Sequence, residues 1–394
     1  MNKKSVRDVD FAGKRVLMRV DFNVPLDKGQ NVTDDNRIRA ALPTIKYILS
    51  KGGRLILMSH LGRPKGEVKP EYSLRPCAKV LGKLLDRPVE VLDDCVGENV
   101  EKAVLGLAAG DVVLLENLRF HKEETDNDEV FSKRLAGLGD IFVNDAFGTC
   151  HRAHASTEGV THYLESVSGF LVEKEIEYFQ KVITSPDKPF VFLLGGAKVA
   201  DKIPVIENMM DKAGTIIIGG AMAYTFMKTK GIDVGSSRVE QDMIETARAI
   251  LRKAETKVVE IVLPLDHVVT DDIDTASNVK ITDTESIHSG FMGVDIGPKS
   301  IDLFVRKLRP AKTIVWNGPV GIFENDKFAN GTKAIAEAIA DLHCVSVIGG
   351  GDTAAAISKF RLVDKMSHIS TGGGASLEYL EGKVLPGIAA LSDK

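Results

Sequence analysis

The sequence predicts an α/β protein of two parallel-sheet domains in series, and three observations carry that expectation. Short apolar runs of strand length alternate with amphipathic runs of helix length, the pattern of βαβ units. The alternation is interrupted at the proline-bounded Ser185-Pro186-Asp187-Lys188-Pro189 and then restarts. Strand ends before that point carry Arg, His, Asn and Asp, whereas those after it carry paired or tripled glycines.

In the first half, Arg15 to Val20 reads as a strand ending in Asp21-Phe22-Asn23-Val24-Pro25. Thr33 or Asp34 is placed to cap a helix through Ile38, Ala41, Leu42, Ile45, Ile48 and Leu49, with Gly52 beyond its end. Pro43 interrupts that pattern, so the helix is expected to kink there or begin later. Leu55 to Met58 is the next strand, ending in Ser59-His60-Leu61-Gly62-Arg63-Pro64, and Pro76 to Leu85 is a helix. Val89 to Leu92 is a short strand. Val112 to Leu115 ends in Glu116-Asn117-Leu118-Arg119-Phe120, and Ile141 to Val143 ends in Asn144-Asp145-Ala146-Phe147-Gly148. Val172 to Ile183 reads as one helix that connects the two series, making the proline-rich segment behind it the domain boundary.

In the second half, strands are expected at 190–194, 215–218, 258–263, 313–316, 344–348 and 367–370. Helices are expected near 201–211, 221–229, 239–254, 327–341 and 353–359. The run 344–348 breaks at Gly349-Gly350-Gly351, with Asp352 or Thr353 as the cap of the helix that follows. Phe190 to Leu194 runs into Gly195-Gly196-Ala197-Lys198, Thr215 to Ile218 into Gly219-Gly220, and His368 to Ser370 into Thr371-Gly372-Gly373-Gly374.

Composition excludes several classes. The chain has 394 residues, a formal net charge of −4 and 27% charged residues, with no basic excess that would indicate a nucleic-acid partner. No apolar run is long enough to cross a bilayer and the first residues lack an apolar leader, so a cytoplasmic protein is expected. Cys77, Cys95, Cys150 and Cys344 are scattered, which indicates neither a disulfide framework nor a zinc motif.

Strand C-termini of a parallel sheet lie along one edge, where ligands bind. In the first half that edge gathers Arg63, Arg119, Arg152, His60 and His151, with Arg37 at the start of the first helix. The guanidinium fork suits carboxylate and phosphate alike, so a pocket for a small polyanion is expected. In the second half, glycine turns opening into helices suit phosphate. Lys198 and Lys202, four apart, would project from one helix face and neutralise a phosphate chain, and Asp352 could hold a hard cation such as Mg²⁺. Glu324, beyond another strand end, could accept ribose hydroxyls. There is no G-x-x-x-x-G-K-[ST]. Gly349 to Ala354 fits the dinucleotide pattern G-x-G-x-x-A, but it is not the first βα turn of its domain and no acid closes the next strand, which opposes a dinucleotide-dependent oxidoreductase. A two-domain binding protein for an organic anion would leave Lys198, Lys202 and Asp352 without a task. Phosphoryl transfer from a nucleotide to a small anionic metabolite unites the two halves.

The motifs Arg19-Val20-Asp21-Phe22-Asn23-Val24-Pro25, Ser59-His60-Leu61-Gly62-Arg63-Pro64, Glu116-Asn117-Leu118-Arg119-Phe120, Asn144-Asp145-Ala146-Phe147-Gly148, Gly195-Gly196-Ala197-Lys198-Val199, Trp316-Asn317-Gly318-Pro319 and Gly349-Gly350-Gly351-Asp352-Thr353 run in order along the chain. Together with His151-Arg152-Ala153-His154 and Thr371-Gly372-Gly373-Gly374-Ala375-Ser376, they resemble the phosphoglycerate kinase family. The resemblance implies two Rossmann-like parallel-sheet domains joined by a connecting helix over 171–184, with a deep interdomain cleft. Residues 1–170, completed by the tail 380–394, would bind phosphoglycerate, and 185–379 would bind nucleotide. It implies reversible, Mg²⁺-dependent transfer between 1,3-bisphosphoglycerate with ADP and 3-phosphoglycerate with ATP, by a monomer. Asp21, Phe22, Asn23, Arg37, His60, Leu61, Gly62, Arg63, Arg119 and Arg152 would bind phosphoglycerate. Lys202, Gly293, Glu324, Gly350, Gly351, Asp352 and Thr353 would bind nucleotide, with Asp352 on the metal. Arg37, Lys198, Lys202, Gly351 and Gly374 would steady the transferring group.

Overall fold

The computed structural model describes residues 2–394, which divide into two compact units. Unit 1 comprises residues up to Glu177 together with Val384–Lys394; unit 2 is Tyr178–Lys383. The helix Phe170–Thr184 carries the chain from one to the other.

Among the described residues unit 1 contains six strands: β1 (Arg15–Arg19), β2 (Arg54–Met58), β3 (Glu90–Val91), β4 (Val112–Leu114), β5 (Ile141–Asn144) and β6 (Glu165–Ser168). They form one sheet in the order β3-β4-β2-β1-β5-β6, and every pairing is parallel. Both faces of the sheet are covered, which is why its strands read as unbroken apolar runs rather than as alternation. Val16, Met18, Leu55 and Leu57 pack into one core, whereas Leu17, Ile56, Met58 and Val113 pack into the other. Because β1 leads to β2 on one side and pairs with β5 on the other, the strand order reverses beside β1, where the polar strand ends gather.

The first helix runs Asn36–Ser50 and includes Pro43, so it does not begin after the proline; neither Thr33 nor Asp34 is its N-cap, and Asp35 occupies that position with no side-chain bond. Asp34 Oδ1 instead accepts from Asn36 N at 2.9 Å. Burial of Ile38, Ala41, Ile45 and Ile48 along one face offsets the hydrogen bond that proline removes.

β6 was absent from the sequence expectation because Glu-Ser-Val-Ser lacks an apolar run. The chain's last residues line this edge: Ser392 N donates to Ser166 O (2.8 Å), Lys4 N donates to Ser392 O (2.8 Å), and Gly387 N donates to Cys150 O (2.9 Å). Asn144 Nδ2 donates to Gly387 O at 3.1 Å, so the tail is bonded into the fabric of unit 1.

Unit 2 contains β7 (Phe190–Leu194), β8 (Thr215–Ile218), β9 (Glu260–Val262), β10 (His267–Thr270), β11 (Val279–Ile281), β12 (Met292–Ile296), β13 (Thr313–Asn317), β14 (Val345–Gly349) and β15 (His368–Ile369). Six of them form a second parallel sheet, ordered β15-β14-β13-β7-β8-β9. The remaining three form an antiparallel sheet, β11-β10-β12, which the sequence did not announce, and the helix Pro298–Leu308 follows it. Among the described residues no helix is long and apolar enough to cross a membrane.

Candidate active site

In unit 1 the segments that follow β2, β4 and β5 bring Arg63, Arg119 and Arg152 to one sheet edge. Arg63, Arg119 and Arg152 line a cavity of about 500 Å³ together with Lys65, Lys122 and His154. No carboxylate is among its lining residues, so the field inside favours an anion. Arg119 is largely buried; its Nη1 donates to Gly62 O (2.9 Å), its backbone N–H donates to Asn117 Oδ1 (3.0 Å), and Nε has no partner. Burial, and then the charges of Arg19 and Arg152, lower its pKa to about 10, so it remains a cation at neutral pH.

Arg37 is exposed and pairs with Asp21. Asn23 Oδ1 accepts from Gly62 N at 2.9 Å, which ties the end of β1 to the end of β2. Gly62 has φ +62°, and a Cβ there would lie 2.4 Å from the Tyr72 ring, so only glycine fits. Phe22 and Leu61 are placed differently: their side chains are in the core, leaving only backbone atoms to face a ligand.

Behind this edge lies a polar network that strand-end reasoning missed. Arg19, the last residue of β1, is fully buried. Its Nε donates to Ser156 Oγ (2.9 Å), Nη1 donates to Val20 O, and Nη2 donates to His60 Nδ1 (3.1 Å). Because arginine can only donate, His60 Nδ1 carries no proton. Ser156 Oγ in turn donates to Glu124 Oε1 at 2.6 Å, and Ser156 N donates to Oε2 at 3.0 Å. Burial first, then Arg19, Arg119, Arg37 and Arg152, hold the His60 pKa well below its usual value; similar forces bring His154 to about 4. Both are therefore neutral hydrogen-bonding groups among permanent cations. The signal available in the sequence was an arginine closing an otherwise apolar strand.

In unit 2 the glycine turns do two different things. A Cβ on Gly195 would lie 2.1 Å from Pro319 O, and one on Gly318 would lie 2.3 Å from Gly195 O. A Cβ on Gly220 would meet Gly196 N at 2.6 Å. These glycines let the ends of β7, β8 and β13 pack backbone on backbone. Gly351 is exposed and has open space where a side chain would begin, so it is the kind of glycine a ligand can approach.

The β14 turn opens directly into the helix Gly351–Lys359, whose N-cap is Gly350 at φ +86° rather than Asp352 or Thr353. Thr353 is buried and its Oγ1 accepts from Gly318 N (2.7 Å), which locks this turn to the β13 turn. Asp352 is exposed at the mouth and accepts no hydrogen bond from the described residues. Gly374 is the exposed first residue of the helix Gly374–Leu380.

Lys198 and Lys202 do not share a helix face. Lys198 lies in the loop before a 3₁₀ turn (Ala200–Lys202), and the α-helix begins only at Ile203, with Pro204 in its first turn. Glu240 accepts from Val199 N (2.8 Å) and Ala200 N (3.3 Å), holding the loop in that course. Lys198 is exposed, whereas Lys202 is partly buried and donates to Asn317 Oδ1. Burial lowers the Lys202 pKa, opposed by Asp201, Asp352 and Glu381.

Gly293 lies on β12, its N–H donating to Ser237 Oγ (2.9 Å), and a Cβ there would stand 1.8 Å from Tyr224 Oη. Glu324 is exposed on the segment that follows β13, which Ile322 N ties to Val294 O (2.9 Å).

A phosphoglycerate kinase family model matches residues 6–383. A phosphoglycerate kinase of Clostridium botulinum is 55% identical over 396 aligned residues, covering 100% of this chain and 99% of that one. One of Chloroherpeton thalassium is 56% identical, covering 100% of both. Among solved structures, phosphoglycerate kinase from Coxiella burnetii superposes with a TM-score of 0.90 at 40% identity, covering 98% of each chain. The protein from Pyrococcus horikoshii does so at 0.87 and 35%, again covering 98% of each. Family match, full-length identity and fold agree: the chain belongs to the phosphoglycerate kinase family and is a kinase of glycolytic phosphoryl transfer.

Proposed function

We propose that the protein transfers the acyl phosphate of 1,3-bisphosphoglycerate to ADP, and the γ-phosphoryl group of ATP back to 3-phosphoglycerate, in a Mg²⁺-dependent reaction. The observation that carries this reading is the carboxylate-free cavity lined by Arg63, Arg119 and Arg152 at the strand ends of unit 1. A three-carbon acid phosphate carries charge at both ends, and a cluster of guanidinium groups can hold both. Arg37, Asp21, Asn23, His60 and the backbone at Phe22, Leu61 and Gly62 complete the phosphoglycerate subsite. Neutral His60 donates through Nε2 without adding to the repulsion among its cationic neighbours.

Lys202, Gly293, Glu324, Gly350, Gly351, Asp352 and Thr353 form the nucleotide subsite. The exposed carboxylate of Asp352 beside an open glycine turn suits Mg²⁺, which is commonly held by one or two carboxylates and completed by phosphate oxygens and water. Bound there, the ion would neutralise charge on the β- and γ-phosphates.

In the ATP-consuming direction the nucleophile is a substrate carboxylate, ionised at neutral pH, so the chain needs no general base. Its task is to bring anions together in line. Arg37, Lys198 and Lys202, with the amides of Gly351 and Gly374, stabilise the charge on the transferring group. The partial desolvation of Lys202 strengthens its interaction with phosphate, because fewer waters compete. Water must be excluded while the acyl phosphate exists, and hinge-bending closure of the two units around both substrates supplies this.

The test is a coupled assay with 3-phosphoglycerate, ATP and Mg²⁺, repeated with EDTA and with Asp352→Ala. Turnover that requires the metal and falls at least tenfold in the variant supports the reading; a variant as active as wild type moves the metal elsewhere. Small-angle scattering with and without both substrates tests closure, since an unchanged radius of gyration rejects it.

A further inference from the structure

The fold brings Asp94, Cys95 and His121 together, although nothing in their sequence spacing marks a metal motif. One carboxylate oxygen, the thiol sulfur and one ring nitrogen all lie within 4.8 Å of one another. We propose that this cluster is a binding site for a borderline divalent transition-metal ion of the Zn²⁺ class, separate from the nucleotide metal.

The donor set decides the class. A thiolate, an imidazole and a carboxylate are the ligands zinc takes, and three protein ligands leave the fourth tetrahedral position to water. Magnesium and calcium prefer oxygen alone and would discard the sulfur. Tetrahedral zinc places its ligand atoms about 3.5 Å apart, so closing the cluster asks for shifts of about 1 Å. His121 Nε2 and Asp94 Oδ1 are 2.6 Å apart; the ion would replace the proton they share and part them by about 1 Å.

The supports around the site are in place. The His121 ring packs against Phe131 with centroids 5.3 Å apart, which fixes its plane. Cys95 N donates to Asp94 Oδ1 at 2.6 Å, which fixes the carboxylate. Access is available from the side away from the basic cavity: Asp94 also lines a cavity of about 940 Å³ beside β3. Cys95 itself is buried, so the ion would enter past the half-exposed Asp94 and His121. Once bound, it would tie the loop after β3 to the residue that follows the Leu118–Phe120 turn, and so stiffen the turn that carries Arg119.

The experiment is a Co²⁺ titration of the full chain followed by absorption spectroscopy, with Zn²⁺ as competitor. Expected are one ion per chain, tetrahedral d–d bands, and a sulfur-to-cobalt charge-transfer band that Zn²⁺ bleaches. Cys95→Ser should abolish the charge-transfer band, and His121→Gln should weaken affinity at least tenfold. An octahedral spectrum alone, or a charge-transfer band that survives Cys95→Ser, overturns the assignment. Should the variants fail to fold, anomalous diffraction at the zinc edge from wild-type crystals soaked in Zn²⁺ decides the matter. A peak bounded by Asp94, Cys95 and His121 supports the site, and its absence there rejects it.

Discussion

Asp145 offers the sharpest test of how this fold handles a buried acid. It follows β5 and is fully buried; its Oδ1 accepts from Leu171 N (2.9 Å) at the start of the helix Phe170–Thr184. Among the described residues its Oδ2 has no hydrogen-bond partner. Burial raises its pKa from 3.8 to about 7, and the bonds from Leu171 N and Val172 N, with nearby Thr44, reverse this only in part. The folded state therefore holds a proton that the unfolded chain releases near pH 4. Stability from this group is complete below pH 4 and is lost as pH rises towards 7. A shift of about 3 units corresponds to a ceiling of about 4 kcal/mol, which local relaxation reduces to about 1–3. Asn is nearly isosteric with the protonated acid. In urea unfolding, Asp145→Asn should match wild type near pH 3.5 and exceed it by about 1–3 kcal/mol at pH 8.5. A difference between the two proteins that does not vary with pH would refute the reasoning, as would a variant less stable at pH 8.5, since the carboxylate would then be ionised and welcome there.

Other outcomes follow from the same geometry. Glu124→Gln removes the charge that faces buried Arg19 through Ser156, and should cost about 3 kcal/mol at the urea midpoint with little change in m. Gly293→Ala places a methyl 1.8 Å from Tyr224 Oη, and should cost about 1–3 kcal/mol while raising KM for nucleotide more than KM for 3-phosphoglycerate. Arg37→Ala and Lys198→Ala should each lower kcat at least tenfold with smaller changes in KM; an unchanged kcat removes that residue from the transition-state set.

The parallel sheets were legible because both faces are covered, which turns each strand into a short apolar run. The antiparallel sheet was not. β11 is exposed at all of Val279, Lys280 and Ile281, so no buried face patterned it. β6 was hidden for the opposite reason: Ser166 and Ser168 are buried polar residues whose partners come from Lys4 and the far end of the chain. At the site, Arg63, Arg119 and Arg152 were readable as arginines after strands. The network of Arg19, Ser156 and Glu124 was not, because a fully buried guanidinium is an exception to the rule that reads charge as surface. The lysines at 198 and 202 were misplaced by assuming that a glycine turn opens at once into an α-helix. Here a 3₁₀ turn held by Glu240 intervenes, and a residue distant in sequence cannot be read from local spacing.

The tail bonded into unit 1 has a consequence for how the molecule is made. Residues 384–394 leave the ribosome after all of unit 2, yet they supply hydrogen bonds to Lys4, Cys150 and Ser166 in the unit that was synthesised first. The later-made unit has its whole sequence at hand before the earlier one does, so vectorial synthesis and completion of the fold run in opposite order.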